Sequence, residues 1–333
     1  MRLCALALCT FVATAMSAQA PNTYHITARS LLGGNGGWDY VIPDPSSHRL
    51  FIARGNHLMV VDENTGKLVG EVQGTHGAHG TAIAEGTGHG FATSSEDKSI
   101  VMFDLATLNV LSRIPAAEDA DGIIYDKLSG RVFSMNGDAN SSTVVDAKSG
   151  KLVSNIALGG KPEYAVSTGD GKIYANLEDK DEIVELDTRS ASVTRRWPTA
   201  PCKQPVAMAA DTTHHRLFSG CRSGVMAIVD YRSGKVITTV PIGKGVDSAA
   251  YDPATGDAFA ANADGTLTVI HQDSPDVYRV VQTLPTPVGS RNMGLDPTNH
   301  RVFVVSAQFG PVPDGGKRPP VLPNSFTLLT ITR

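Results

Sequence analysis

The sequence predicts an all-β fold, a seven-bladed β-propeller of four-stranded antiparallel blades, with the ring closed by the N-terminal strand joining the last blade. The main observation is a repeat of about 42 residues, a period typical of propeller blades. An acidic residue, replaced once by histidine, ends a short apolar run in six copies, and an aromatic residue recurs in all seven. These two independent markers fall at Asp62, Asp104, Asp146, Asp187, Asp230 and His271, and at Phe51, Phe91, Phe133, Tyr174, Phe218, Phe259 and Phe303.

Each copy divides into four short strands separated by turn residues. In the third copy the predicted strands are 122–125, 131–135, 143–145 and 151–157. Val, Ile, Phe and Tyr dominate the strands, whereas Gly, Asp, Asn, Ser and Pro fill the intervening positions. No window has a sustained helical period, which favours an all-β chain.

The two ends of the sequence predict how the ring closes. The last copy supplies three strands, 292–295, 301–305 and 326–331, and the segment 24–32 supplies the fourth. Joining the first and last strands in one blade removes the edges that an open sheet would expose. A Pro/Gly-rich insertion at 310–324 interrupts this blade and is expected to form a long loop.

The first twenty residues have the pattern of a secretory signal peptide. Arg2 is followed by an apolar stretch at 3–16 and by the small-x-small sequence Ala18-Gln19-Ala20. We therefore expect cleavage after this segment (1–20), a single mature domain at 21–333, and a periplasmic or secreted protein. We expect no membrane span, because the apolar part of the leader is too short for a stable anchor and no other stretch is longer.

Cys202 and Cys221 are the two cysteines outside the leader. They fall at two neighbouring strands of one repeat, in a chain expected to enter an oxidising compartment. A disulfide between them is therefore predicted, with metal ligation or redox chemistry by the pair as the alternative.

The charge balance disfavours one class of partner. The chain has 29 Lys and Arg against 33 Asp and Glu, a formal net charge of −4. Non-specific binding to nucleic acid needs a basic surface, and no Lys/Arg cluster here is longer than Arg195-Arg196. We expect a monomer that binds a small polar ligand or a protein partner.

Three segments of the repeat resemble a known family. They are the run Val144-Val145-Asp146-Ala147-Lys148-Ser149-Gly150-Lys151, the Gly159-Gly160-Lys161-Pro162 segment, and Tyr174-Ala175-Asn176. Together they resemble the YVTN-type (YncE-like) repeats of periplasmic β-propellers, over residues 24–333. That resemblance implies a location and a shape but no single reaction. Wider relatives of this shape include lactonases, streptogramin lyases and subunits of quinoprotein dehydrogenases, and fold alone does not choose among them.

Charged residues recur where each innermost strand begins, which is where the loops of a propeller gather around one mouth of its central channel. One position in the register carries Asp39, Gly80, Asp121, Glu163, Val206, Asp247 and Arg291. The position two residues earlier carries, in four consecutive copies, Asp119, Lys161, Lys203 and Lys244. This convergence admits three interpretations: a self-neutralised hydrated rim, a pocket for a small charged or polyhydroxylated ligand, or a catalytic acid–base pair.

The segment His76-Gly77-Ala78-His79 lies beside that mouth. Two imidazoles with Asp121 or Asp119 as a third ligand can hold a divalent transition metal. The sequence thus predicts a binding or interaction protein with its ligand at the mouth. Its predicted ligand-binding residues are Asp39, Asp121, Glu163, Lys161, Lys203, Asp247 and Arg291, and its candidate metal ligands are His76, His79 and Asp121. The alternatives are a metal-assisted lactonase- or lyase-like enzyme with Glu163 as general base, or an accessory subunit of a periplasmic redox enzyme.

Overall fold

Seven four-stranded antiparallel sheets form a closed ring in the computed structural model, which describes residues 23–313, 315–316 and 319–333. The first strand of each sheet contacts the first strands of both neighbouring sheets, so these seven strands surround a central channel. The predicted signal peptide, residues 1–20, lies outside the described residues. The predicted fold class is confirmed.

Within each blade the strands follow one another from the channel outward, and we call them a, b, c and d in that order. The first four blades consist of β2 (Val41–Asp44), β3 (Arg49–Ala53), β4 (Gly55–Asp62) and β5 (Leu68–Ala78); β6 (Thr81–Ala84), β7 (His89–Ser94), β8 (Ser99–Asp104) and β9 (Val110–Pro115); β10 (Ala120–Asp126), β11 (Arg131–Asn136), β12 (Ser141–Asp146) and β13 (Leu152–Ala157); and β14 (Pro162–Ser167), β15 (Lys172–Leu177), β16 (Glu182–Asp187) and β17 (Ser192–Pro198).

The remaining three blades follow the same order until the ring closes. They consist of β18 (Pro205–Asp211), β19 (Arg216–Cys221), β20 (Val225–Asp230) and β21 (Lys235–Pro241); β22 (Val246–Asp252), β23 (Asp257–Asn262), β24 (Thr266–Ser274) and β25 (Val277–Pro285); and β26 (Asn292–Asp296), β27 (Arg301–Ser306) and β28 (Thr327–Thr332), with β1 (His25–Leu31) as the outermost strand.

The repeated aromatic residue holds each blade against its neighbours. In all seven copies this side chain lies on strand b and is fully buried, as Phe133 is between β10 and β12. Burying one such ring removes on the order of 150–250 Å² of surface from water. The periodic aromatic residues therefore belong to the core between the sheets, together with aliphatic residues of the neighbouring strands.

The first and last strands pair to close the ring, as the ends of the sequence predict. β1 runs antiparallel to β28, from His25 opposite Thr332 to Leu31 opposite Thr327. Tyr24, just before β1, donates a 2.8 Å hydrogen bond from its hydroxyl to Asp257 of the sixth blade. The closing strand is thus attached to its own blade and to the neighbouring one.

The insertion at 310–324 leaves and rejoins the last blade at one place. Phe309 and Val321 form an isolated bridge, and the Gly310 amide donates a 2.9 Å hydrogen bond to the Pro320 carbonyl. The Phe309 ring packs 6.1 Å from that of Trp38. The base of the insertion therefore packs against the segment that leads into β2.

Cys202 and Cys221 form a disulfide in the structure, with their α-carbons 5.8 Å apart. Cys202 precedes strand a of the fifth blade and Cys221 ends its strand b, and both are buried. Among the described residues, no helix is long and apolar enough to cross a membrane.

Candidate functional site

The register that aligns the seven copies brings most of the predicted charged residues to one mouth of the channel. Asp39 lies just before β2, Arg291 lies just before β26, and Asp121, Glu163 and Asp247 are each the second residue of a strand a. Alternate side chains of a strand point to opposite faces, so a shared position in the register gives these side chains a shared direction.

Asp39, His79 and Asp121 form the centre of this mouth. Each offers one ligand atom, and these atoms lie within 4.8 Å of one another. The Asp39 Oδ2 atom is 2.7 Å from Nδ1 of His79, whereas Oδ1 of Asp121 is 3.6 Å from the same nitrogen. The Asp121 Oδ1 atom is buried and has no hydrogen-bond partner among the described residues. One imidazole and two carboxylates from three successive blades thus converge, and one of the carboxylate oxygens lacks a hydrogen bond.

Buried polar contacts position Asp121. The Thr93 hydroxyl donates a 2.8 Å hydrogen bond to the Asp121 carbonyl and accepts one of 2.8 Å from the Gly80 amide. A Cβ atom at Gly80 would lie 2.9 Å from that same carbonyl oxygen, closer than packing allows. Because Gly80 has no side chain, the connection that carries His79 and the strand that carries Asp121 can approach each other.

Protons at this centre are held tightly. Burial, followed by the charge of Asp39, raises the pKa of Asp121 to about 7. Burial on its own would lower the pKa of His79, but the hydrogen bond to Asp39 and the charge of Asp121 raise it to about 9. Near neutral pH the imidazole is therefore protonated and Asp121 titrates.

Glu163 belongs to a second group of charges on the same mouth. Lys161 Nζ lies 3.5 Å from Glu163 and 3.6 Å from Glu178, and Arg222 Nε donates a 2.7 Å hydrogen bond to Glu178. Burial, with the charge of Asp121, raises the pKa of Glu163 to about 9, despite the adjacent lysine. Glu163 thus holds a proton at neutral pH and suits a proton donor better than the general base expected from sequence.

Asn292 connects the remaining acids. Its side-chain amide donates hydrogen bonds of 3.0 Å to Asp39 and 3.3 Å to Asp247. Arg291 Nε lies 3.2 Å from Asp247, whose pKa is nevertheless raised, chiefly by burial. Asn292 is buried and lies one residue beyond the aligned position, which is why the repeat register did not identify it.

Two predicted site residues lie away from this centre. His76 Nδ1 is 3.0 Å from Asp97, which also lies 3.5 Å from Arg113, so His76 belongs to a separate surface pair. Lys203 is largely exposed and lies 3.2 Å from Asp181. The structure thus places Asp39, rather than His76, beside His79 and Asp121.

Two tyrosines cross the channel beneath the acidic mouth. Tyr40 of the first blade stacks on Tyr164 of the fourth, with ring centroids 4.7 Å apart and planes 29° apart. The hydroxyl of Tyr40 reaches Gly122, where a Cβ atom would lie 3.2 Å from it. Burial, with the charges of Asp121 and Asp39, raises the pKa of Tyr40 well above its usual value. Each tyrosine follows an aligned acid in sequence, but nothing in the sequence shows that the two rings meet.

Arg54 holds the segment that precedes Asp39. This guanidinium is 1% exposed, lies 3.9 Å above the Phe326 ring, and donates hydrogen bonds to four carbonyl groups of the loop that precedes Trp38. Those carbonyls belong to Gly33, Asn35, Gly36 and Gly37. The glycine-rich run 33–37 is the only sequence signal of this arrangement, because glycines let a backbone curl around a cation.

Comparison with known proteins supports the fold and no more. No protein-family model and no curated protein matches the chain. Among solved structures it is similar to the structure of U3-55K, at 10% identity and a TM-score of 0.76, over 92% of this chain and 98% of that one. It is also similar to the crystal structure of the RRP9 WD40 repeats, at 10% identity and a TM-score of 0.77, over 94% of this chain and 98% of that one. The protein is therefore a seven-bladed β-propeller with WD40 propellers among its structural neighbours.

Proposed function

We propose that this propeller is an exported binding protein of the YVTN type and that it binds a divalent cation at the acidic mouth. The observation that carries the proposal is the convergence of Asp39, His79 and Asp121, with the buried Asp121 Oδ1 atom lacking a hydrogen bond. A mixed imidazole and carboxylate set suits transition metals such as Zn²⁺ or Mn²⁺. Export is supported by the leader-like pattern of residues 1–20 and by the disulfide, since disulfides persist in oxidising compartments.

The protonation of the site gives this proposal a measurable signature. A bound metal ion requires a neutral His79 and an ionised Asp121, so binding must release the protons that the empty cluster holds. Affinity should therefore increase as the pH rises from about 5 to about 8, because fewer protons then compete with the metal.

Titration calorimetry with Zn²⁺ and with Mn²⁺, in buffers of different ionisation enthalpy, tests this. We expect one ion per chain, net proton release, and an affinity that falls at least about tenfold in Asp121→Asn, since even changes to residues that only hydrogen-bond the metal ligands cost about that much. Asp97→Asn is the matched control, because it alters the outer Asp97–His76 pair on the same face. Absence of binding, or an equal loss in both variants, would refute the proposal.

The second candidate function is metal-assisted hydrolysis or elimination, favoured by the position of protonated Glu163 beside the cluster. The charge of Asp121 contributes to the raised pKa of Glu163, which places the two carboxyl groups in one electrostatic network. There, Glu163 can donate a proton to a leaving group. Glu163→Gln should then abolish turnover of an aryl lactone such as dihydrocoumarin while Zn²⁺ binding remains. If the Zn²⁺-loaded wild-type protein gives no turnover, this candidate is excluded for lactones.

A third expectation from the sequence is that the protein is an accessory subunit of a redox enzyme. In that case the propeller would bind a partner protein and would not itself catalyse a reaction. Its test is co-purification of a partner from the periplasm, with the metal-binding measurements unaffected.

A further inference from the structure

A chamber of about 380 Å³ lies in the central channel, on the other side of the tyrosine pair from the acidic mouth. Pockets for small molecules commonly measure about 300–1,000 Å³. Glu85, Lys127 and Gly169 in its lining belong to a–b turns of three successive blades, so the chamber opens on the face opposite to the mouth. It is thus a separate compartment with its own opening.

Apolar and aromatic side chains form the wall of this chamber. The aliphatic part comes from strands a of the first three blades, with Ile42, Ile83 and Ile124. The charged residues of the lining are Glu85 and Lys127, which form an ion pair of 3.0 Å at the opening. Because these two charges compensate each other, the opening favours neither a cationic nor an anionic ligand.

The inner end of the chamber attracts positive charge. Tyr40 and Tyr164 close this end, so a cation there meets phenol rings, whereas Tyr125 lies nearer the opening, close to Glu85 and Lys127. Neither Tyr40 nor Tyr164 makes a hydrogen bond through its hydroxyl to the rest of the described chain, so both oxygens can accept one from a ligand. Asp39 and Asp121 lie beyond the pair, together with the protonated His79, and the charges of the two acids act on Tyr40.

We propose that this chamber is a second binding site, for an organic cation of the arylalkylammonium class. The aromatic part of the ligand packs against the isoleucines, and the ammonium group lies against the stacked Tyr40–Tyr164 pair, where a phenol hydroxyl accepts a hydrogen bond from it. The proposal does not rest on metal binding at the mouth, because the apolar wall and the phenol rings of the chamber are present whether or not a metal is bound there.

Three probes that share one carbon skeleton test the class of ligand. They are 3-phenylpropylammonium, 3-phenylpropanol and 3-phenylpropanoate, titrated into the mature protein and followed by calorimetry. We expect the ammonium ion to bind about tenfold or more tightly than the alcohol, and the carboxylate not to bind, because cation–π attraction and the nearby acids act on charge.

Filling the chamber tests the location. Ile83→Trp should lower the affinity for the ammonium probe at least about tenfold, since the indole would occupy the ligand's volume. Ile42→Phe is a smaller change that fills the same space if the first variant does not fold. Val110→Trp, on an exposed outer strand, is the control and should leave binding unchanged.

Tyr164→Leu tests the role of the aromatic pair. This variant should lose the preference for the ammonium probe over the alcohol while it keeps the affinity for the alcohol. Equal affinities for all three probes in the wild-type protein, or unchanged binding in folded Ile83→Trp, would overturn the proposal. Zn²⁺ binding is measured on the same variants, so failure at the chamber is distinguishable from failure at the mouth.

Discussion

Asp121 is held where its ionised form is poorly stabilised. Its side chain is 19% exposed, one of its oxygens has no hydrogen-bond partner among the described residues, and Asp39 contributes a nearby like charge. Such a group costs the folded protein stability whenever it must be charged. The arrangement of acids that suits a bound cation therefore destabilises the folded protein when no cation is bound.

The pH dependence of unfolding should reveal this cost. Because the pKa of Asp121 is raised to about 7, from an unfolded value of about 3.9, the folded state binds more protons than the unfolded state between these pH values. The contribution of Asp121 to the free energy of unfolding therefore falls as the pH rises through this interval and is lowest above pH 7. The raised pKa of His79, about 9, acts in the same direction between pH 6.5 and 9.

Asp121→Asn should flatten this decline. Relative to the wild-type protein, we expect the variant to gain on the order of 1–2 kcal/mol of unfolding free energy between pH 5 and pH 9. Urea titrations of both proteins at pH 5, 7 and 9 measure this difference. The same slope in the two proteins would show that Asp121 ionises normally in the folded state.

At the residue scale, the sequence predicts where a side chain lies better than it predicts which residue that side chain contacts. The repeat register brings Asp39, Asp121, Glu163, Asp247 and Arg291 to one mouth, because equivalent positions on equivalent strands share a direction. The register does not show that Asp97 forms an ion pair with His76, because that contact depends on the path of a neighbouring loop. Nor does it show that Tyr40 meets Tyr164, which depends on how two distant blades tilt across the channel.

At the element scale, the acidic residue that ends strand c organises the turn into strand d. Asp146 Oδ1 accepts hydrogen bonds of 2.8 Å from the Ser149 amide and 2.7 Å from its hydroxyl. The same pattern, with Thr or Ser three residues after the acid, recurs in the turns that begin at Asp62, Asp104 and Asp187. The acidic repeat marker is therefore a turn-forming residue, which explains why it identifies the fold and carries no chemistry.

Asp146→Ala should destabilise the protein by about 1–2 kcal/mol at pH 7, because it leaves the turn donors without their acceptor. The Ser149 hydroxyl chiefly lowers the pKa of Asp146 in the folded state. This contribution is therefore present above the unfolded pKa of about 3.9 and is lost as the pH falls through the lower folded value. Urea unfolding at pH 7 and near pH 2 measures both effects.

Asp138→Ala is the control for this change, since Asp138 lies exposed in the loop between β11 and β12 of the same blade. It should alter stability by less than about 0.5 kcal/mol. A comparable loss in both variants would mean that general charge, rather than the turn, accounts for the effect.

The strands of the third blade show how far element boundaries follow from sequence. The predicted segment 143–145 is observed as Ser141–Asp146, and 122–125 as Ala120–Asp126. All of the added residues except Ala120 are polar, Ser141, Ser142 and Asp121 among them. A prediction from residue type ends a strand at such polar residues, because they have low strand preference. In the structure the strand continues, because any residue except proline can form the backbone hydrogen bonds to a partner strand.

At the scale of the whole molecule, the ring depends on one pairing between distant parts of the chain. β28 has β27 on one side and β1 on the other. The segments that form β1 and β28 are close at Tyr24 and Arg333 as well, because the Arg333 guanidinium lies 5.6 Å from the Tyr24 ring centroid. Without β1, the last blade would expose a strand edge, and exposed edges invite pairing with other chains.

A chain that lacks residues 23–31 should therefore unfold at a lower urea concentration than the chain of residues 21–333 and should self-associate. A circular permutant is the matched control. It carries 23–31 after Arg333 through a short Gly/Ser linker, with new ends between the exposed residues Arg232 and Ser233. The permutant should remain monomeric and keep Zn²⁺ affinity, because it retains every strand pair and the mouth. Urea unfolding with light scattering separates the cases.

If the truncated chain is as stable and monomeric as the full one, the closing strand does not hold the ring. If truncation and permutation are equally damaging, chain connectivity rather than the β1–β28 pair determines stability.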